Sequence, residues 1–120
     1  MTDQLDKAFA ALSDATRRDL VARLAIGDAT VSELAAPYDM SLQAVSKHLK
    51  VLAEAGLVTK RPDAQRRLIH LESDILRMMT GWVEHYAELA DQRYQRLDDL
   101  LARLHDNPAA PAPPEQEQTP

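Results

Sequence analysis

The sequence predicts a mainly α-helical fold carrying one β-hairpin. Three observations support that class. Apolar residues recur every three or four positions through most of residues 3–104. Capping residues and helix breakers cut that periodicity into segments. After Gly56 the pattern switches to short β-branched and alternating runs around a turn.

Asp3 to Leu12 reads as the first helix, with Leu5, Phe9 and Leu12 on one face. Ser13 or Asp14 can cap a second helix over Ala15 to Ala25, and Gly27 is its expected stop. Thr30 and Glu33 fit a capping box, in which hydroxyl and carboxylate each satisfy one free backbone N–H. That helix must be short, because Pro37 would break it. Ser41 is the expected N-cap of a fourth helix, with Met40 and Val45 as a hydrophobic staple and Gly56 as its end. "LVTKR" and "RRLIHLE" then read as two strands joined by "PDAQ". A long helix starts at Ser73 or Asp74. Its Ile75, Met79, Trp82, Tyr86, Leu89, Arg93, Leu97, Leu100 and Leu104 follow a three-four spacing, nearly a heptad, and Asn107 and Pro108 end it.

A short helix, a tight turn, a second helix and a β-hairpin make a winged helix-turn-helix. The expected organisation is one such domain over residues 1–105. Residues 106–120, Pro-rich and without a positive charge, are the expected disordered acidic tail.

Composition narrows the function. The 120 residues suffice for one compact domain and little more. Without cysteine there are no disulfides, thiolate metal sites or cysteine nucleophiles. No apolar run approaches the ~20 residues of a membrane span, and no signal-peptide pattern opens the chain, so a cytoplasmic protein with no membrane partner is expected. Catalysis has little to rest on. Ser46 and His48 lie two apart on a helix and do not face each other, and no Gly-rich phosphate loop or carboxylate-pair pocket signature occurs.

The net charge of −5 argues globally against a nucleic-acid partner, but the distribution reverses that. From Ser41 to His70 six basic residues (Lys47, Lys50, Lys60, Arg61, Arg66, Arg67) meet only Glu54 and Asp63. Salt screens charges beyond about 8–10 Å, so a local basic patch acts despite distant carboxylates. On a helix, Ser46, Lys47 and Lys50 fall within about 60° of Gln43, while Val45, Leu49 and Leu52 take the opposite side. Gln can bond adenine bidentately, Ser can donate or accept, and Lys reaches guanine or phosphate. A recognition helix contacts bases with its N-terminal part, where these residues and Ser41 stand. Glu54 shares the stripe at its far end and must sit away from a duplex. Around the hairpin tip, Lys60, Arg61, Arg66 and Arg67 can reach the minor groove or flanking phosphates. The alternatives are a solvated polar face and a solubilising turn.

With these residues in hand, the chain resembles the ArsR family of bacterial winged-helix transcriptional regulators. "LSDATRRDLVARLA", "TVSELA", "MSLQAVSKHLKVLAEAGLVTKR" and "RRLIHLE" fall in the family's order and spacing over about residues 3 to 104. The resemblance implies a homodimer that binds an inverted-repeat operator on double-stranded DNA, usually as a repressor released by a signal. By position it implies Gln43, Ser46 and Lys47 as recognition-helix contacts, Val31 and Ser32 against the DNA backbone, and Arg66 and Arg67 in the wing. It also implies a dimer interface from the first and last helices, with Leu5 and Phe9 on the first. Independently, Trp82, Tyr86, Leu89, Leu97 and Leu101 are more apolar surface than so small a domain readily buries.

The chain departs from the family in places. Ala15 stands where Pro is usual, the wing tip lacks the frequent Gly, and Gly81 sits inside the long helix at ~1 kcal/mol relative to Ala. The family's cysteine-based arsenic and cadmium sensing is excluded. Glu84, His85, Glu88 and His105 do not reproduce its Asp-x-His and His-x-x-His metal arrangement, so no metal or other cofactor is expected, with His85 and Glu88, three apart, holding a metal across a dimer as the alternative to an exposed polar face. An unidentified small-molecule effector stays open, and so does the alternative of a winged-helix protein-interaction module without DNA binding.

Overall fold

The computed structural model describes residues 3–106. The elements run α1 (Asp3–Ala11), α2 (Ala15–Leu24), α3 (Val31–Ala35), α4 (Leu42–Glu54), β1 (Val58–Asp63), β2 (Arg66–Leu71) and α5 (Asp74–Asp106). Asp106 is the last residue of α5; the rest of the expected tail lies outside the described residues. The chain divides into two compact units, Met1–Gly81 and Trp82–Pro120.

In the first unit, the caps fix where each helix begins. The Asp14 carboxylate accepts the Arg17 N–H at 3.0 Å, and the Ser41 hydroxyl accepts the Ala44 N–H at 3.1 Å. Thr30 and Glu33 form the full capping box, at 3.2 and 2.9 Å. Each bond satisfies an amide that has no partner inside its own helix. Helix ends depart slightly from expectation. α2 stops at Leu24 with Ala25 as its cap, and Gly27 is not in a left-handed conformation. Gly56, with φ +80°, is the true left-handed stop after α4. A Cβ there would come within 2.8 Å of the Gln4 amide nitrogen. That amide donates to the Ala55 carbonyl at 2.5 Å, fastening α1 to the end of α4.

The core of this unit is built from one face of each helix and the inner side of the hairpin. Leu20, Leu34, Val45, Leu52, Leu57 and Ile69 are its largest fully buried side chains. Ile75 and Met79, from the first turns of α5, complete it. Val45, Leu49 and Leu52 all face inward, so α4 has one committed side and one free side.

The hairpin corrects one expectation. Register runs from Val58↔Leu71 to Asp63↔Arg66, so the turn is only Ala64 and Gln65 rather than the four residues of "PDAQ". Pro62 and Asp63 belong to β1; a proline is tolerated on an edge strand, where the outer side of the ladder needs no donor. Ala64 supplies the turn with φ +56°, in place of the glycine that is absent there. The far edge of β2 is also tied. Ile69 and Ala29 exchange two backbone hydrogen bonds, at 2.7 and 3.3 Å, and anchor the wing to the α2–α3 connection.

The second unit consists, within the described residues, of the remainder of α5. Trp82, Tyr86, Leu89, Tyr94, Leu97 and Leu101 are all exposed on it. The Trp82 and Tyr86 rings meet at a tilt of 49°, 4.8 Å between centroids. Among the described residues, no helix is long and apolar enough to cross a membrane.

Candidate nucleic-acid interface

α3 and α4 form the helix-turn-helix, and the turn between them is braced by residues on α2. The Arg23 guanidinium donates to the carbonyls of Leu34 and Glu33, at 2.7 and 3.1 Å, and so caps the end of α3. The same guanidinium lies 5.4 Å from the centre of the Tyr38 ring, and the Tyr38 hydroxyl donates to Asp19. Burial first, and then that bond, push the Tyr38 hydroxyl's pKa up. Tyr38 stands in the turn itself, so α2 holds the segment that aims α4.

A second brace joins α2 to α4. Arg17 Nε donates to the Ala11 carbonyl at 2.6 Å, and its Nη1 lies 3.2 Å from His48 Nδ1. Asp14 is 3.8 Å from the same imidazole nitrogen. His48 is thus a half-buried, bonded residue where α4 meets α2. The Arg17 N–H, above all, and the nearby Arg17 and His48 charges hold the Asp14 carboxyl below its ordinary value.

The outer side of α4 presents Gln43, Ser46, Lys47 and Lys50, all exposed. Neither lysine makes an ion pair among the described residues. Ser41 is exposed as well, but its hydroxyl is engaged in capping α4. Ser32 is exposed at the start of α3; Val31 is half-buried and packs against the core. Glu54 lines a groove with Lys7 and Arg17, at the opposite end of α4 from Gln43.

In the wing, Arg66 and Arg67 do not stand alike. Arg66 pairs with Asp63 across the turn at 3.0 Å, whereas Arg67 is exposed with no ion pair among the described residues. Arg61 approaches Glu72 at 3.9 Å. His70, given no role by the sequence, ties β2 to the loop before α3 through Asp28 at 2.8 Å. Sequence reasoning missed the braces of Arg23, Tyr38 and His70. Their partners lie 10 to 42 positions away, and no local periodicity marks such pairs.

Leu5, expected at a dimer interface, lies in the core of the first unit and offers little surface. Phe9 is half-buried against that core. The α5 residues Trp82, Tyr86, Leu89, Leu97 and Leu101 are exposed. Among the described residues, no three His, Cys, Asp or Glu side chains come together as metal ligands.

A capped short helix, a braced turn, a helix with a free polar-basic face and an anchored two-stranded wing define a winged helix-turn-helix DNA-binding protein. Residues 12–61 match the model of a helix-turn-helix domain family. The chain is 44% identical over 94 residues to the HTH-type transcriptional regulator Rv2034 of Mycobacterium tuberculosis, covering 72% of this chain and 88% of that protein. It is similar to the crystal structure of an ArsR family transcriptional regulator, RHA00566, with a TM-score of 0.69 and 36% identity over 74% of this chain and 98% of the other. A solution structure from Mycobacterium bovis, described as a homodimeric winged helix-turn-helix DNA-binding domain and a possible ArsR-family regulator, matches with a TM-score of 0.58. It is 28% identical, over 72% of this chain and 80% of its own. The chain belongs to the ArsR family of winged helix-turn-helix transcriptional regulators.

Proposed function

We propose that this chain is a cytoplasmic homodimeric repressor that binds an inverted-repeat operator through α4 and the wing. One observation carries the reading: α4 keeps Gln43, Ser46, Lys47 and Lys50 exposed on the side opposite its buried leucines and valine. Gln43 and Ser46 read base edges in the major groove, and Lys47 and Lys50 reach guanine or phosphate. Ser41, Val31 and Ser32 lie against the backbone, and Arg66 and Arg67 contact flanking phosphates or the minor groove. The domain spans residues 1–105.

The dimer reading rests on the exposed stripe of Trp82, Tyr86, Leu89, Leu97 and Leu101, which costs free energy while it faces water. From α1, the reading takes in Phe9, half-buried against its own core, and Leu5, which offers little surface. The homodimeric relative supports the same assembly. Two copies place two recognition helices on half-sites about one helical turn apart. Repression is what the family resemblance implies.

The test is selection of bound duplexes from a random DNA library at moderate salt, with metal removed. An enriched palindrome with steep salt dependence is expected. A folded protein that enriches nothing would point instead to a winged-helix module that binds proteins, the reading its overall acidity favours.

A further inference from the structure

We propose that the cleft between α4 and β1 binds a small organic monocarboxylate with an apolar body. The cleft encloses about 390 Å³, within the range of small-molecule sites. Its floor is Val31, Leu49, Val58 and Ile69, so it opens onto the hydrophobic core itself, and exposed Ala53 stands at its rim. Ser46, Lys50, Thr59 and Lys60 also line the cleft, and the Thr59 hydroxyl donates to Glu72 at 3.2 Å. Water in such a space finds few partners and is readily displaced by an apolar group.

The cations select the rest of the ligand. The wing arginines Arg61 and Arg66 approach carboxylates of their own, whereas Lys50 and Lys60 have no ion pair among the described residues. Two lysines without ion pairs among the described residues, lining a cleft with an apolar floor, match a carboxylate joined to a hydrocarbon or aryl body. A phosphodiester satisfies the lysines but leaves the floor unfilled, and a neutral hydrocarbon does the reverse. The position has a consequence, which rests on the DNA-binding reading above. The walls are the recognition helix and the first strand of the wing, and the carboxylate neutralises Lys50. Ligand and operator therefore compete.

Methyl NMR of the full chain, titrated with octanoate, tests the site without DNA. Saturable shifts confined to the methyls lining the cleft, those of Val31, Leu49, Val58 and Ile69 among them, are expected. Octanol, with the same body and no charge, binds about fivefold more weakly, and acetate gives no shifts. Ala53→Phe fills the cleft and abolishes the shifts. Lys60→Gln weakens octanoate about fivefold and leaves octanol unchanged, and it decides the matter if Ala53→Phe does not fold. Equal affinity for octanoate and octanol, shifts spread along Trp82 to Leu101, or no shifts overturn the site. In a second arm, octanoate lowers occupancy of the selected operator; full occupancy at saturating octanoate overturns the competition. If the chain binds no duplex, the DNA reading fails while the methyl titration still decides the cleft.

Discussion

At the scale of single residues, Gln43 and Lys47 separate specificity from affinity. Gln43→Ala should flatten base preference at one position of each half-site, at about 1–3 kcal/mol of discrimination. Lys47→Ala should weaken all sequences more evenly and reduce the salt slope, which quantitative binding at several salt concentrations reads directly. The two wing arginines should differ. Arg66 must give up its contact with Asp63 to meet a phosphate, while Arg67 has no such competitor among the described residues. Arg67→Ala is therefore expected to lose more affinity than Arg66→Ala in the same assay. Ala64 is a simpler case. Its φ of +56° is costly for any residue with a Cβ. Ala64→Gly should stabilise the fold by about 1 kcal/mol, seen as a raised Tm.

At the scale of elements, two carboxylates start helices and make them sensitive to acid. The Asp14 and Glu33 carboxyls are both held below their ordinary values, chiefly by the N–H groups of Arg17 and Thr30. A lowered native value means that the unfolded state takes up protons first. The stabilisation is complete above the unfolded values, near 3.8 and 4.5, and disappears as pH falls through the lower native ones. Melting curves between neutral pH and pH 3 should show that loss. Asp14→Asn keeps a capping oxygen without the charge, so its Tm should fall less steeply with acid than the parent's. The helix-turn-helix depends equally on α4's inner face. Leu52 is fully buried, and Leu52→Ala should cost about 2–5 kcal/mol in denaturant unfolding.

At the scale of the whole molecule, the long helix α5 has more apolar surface than its own unit covers. Tyr86 and Leu97 are exposed on it and belong to no part of the core around α4. Replacing both by Glu should leave a folded monomer in sedimentation and abolish tight operator binding, because half-site affinities then no longer combine. A dimer that persists in the double variant would remove α5 from the interface. Arg93 lies within the same apolar stripe, where four-residue steps on both sides interrupt the heptad.

The sequence by itself determined the element order, the caps at Thr30 and Ser41, and the polar and apolar sides of α4, and it left the cap of α2 between Ser13 and Asp14. Those depend on residues three or four apart, and local spacing is a property of the chain. Residue type also made the wing visible, through its shift from helical to alternating pattern. Only the tertiary structure decided the two-residue turn at Ala64, the bridge from Ala29 to Ile69, and the braces of Arg23, Tyr38 and His70 on distant elements. It likewise put Leu5 in the core and left Lys50 and Lys60 beside an apolar cleft. These pairings join residues far apart in the chain, and they exist only once the core has closed and brought its elements together.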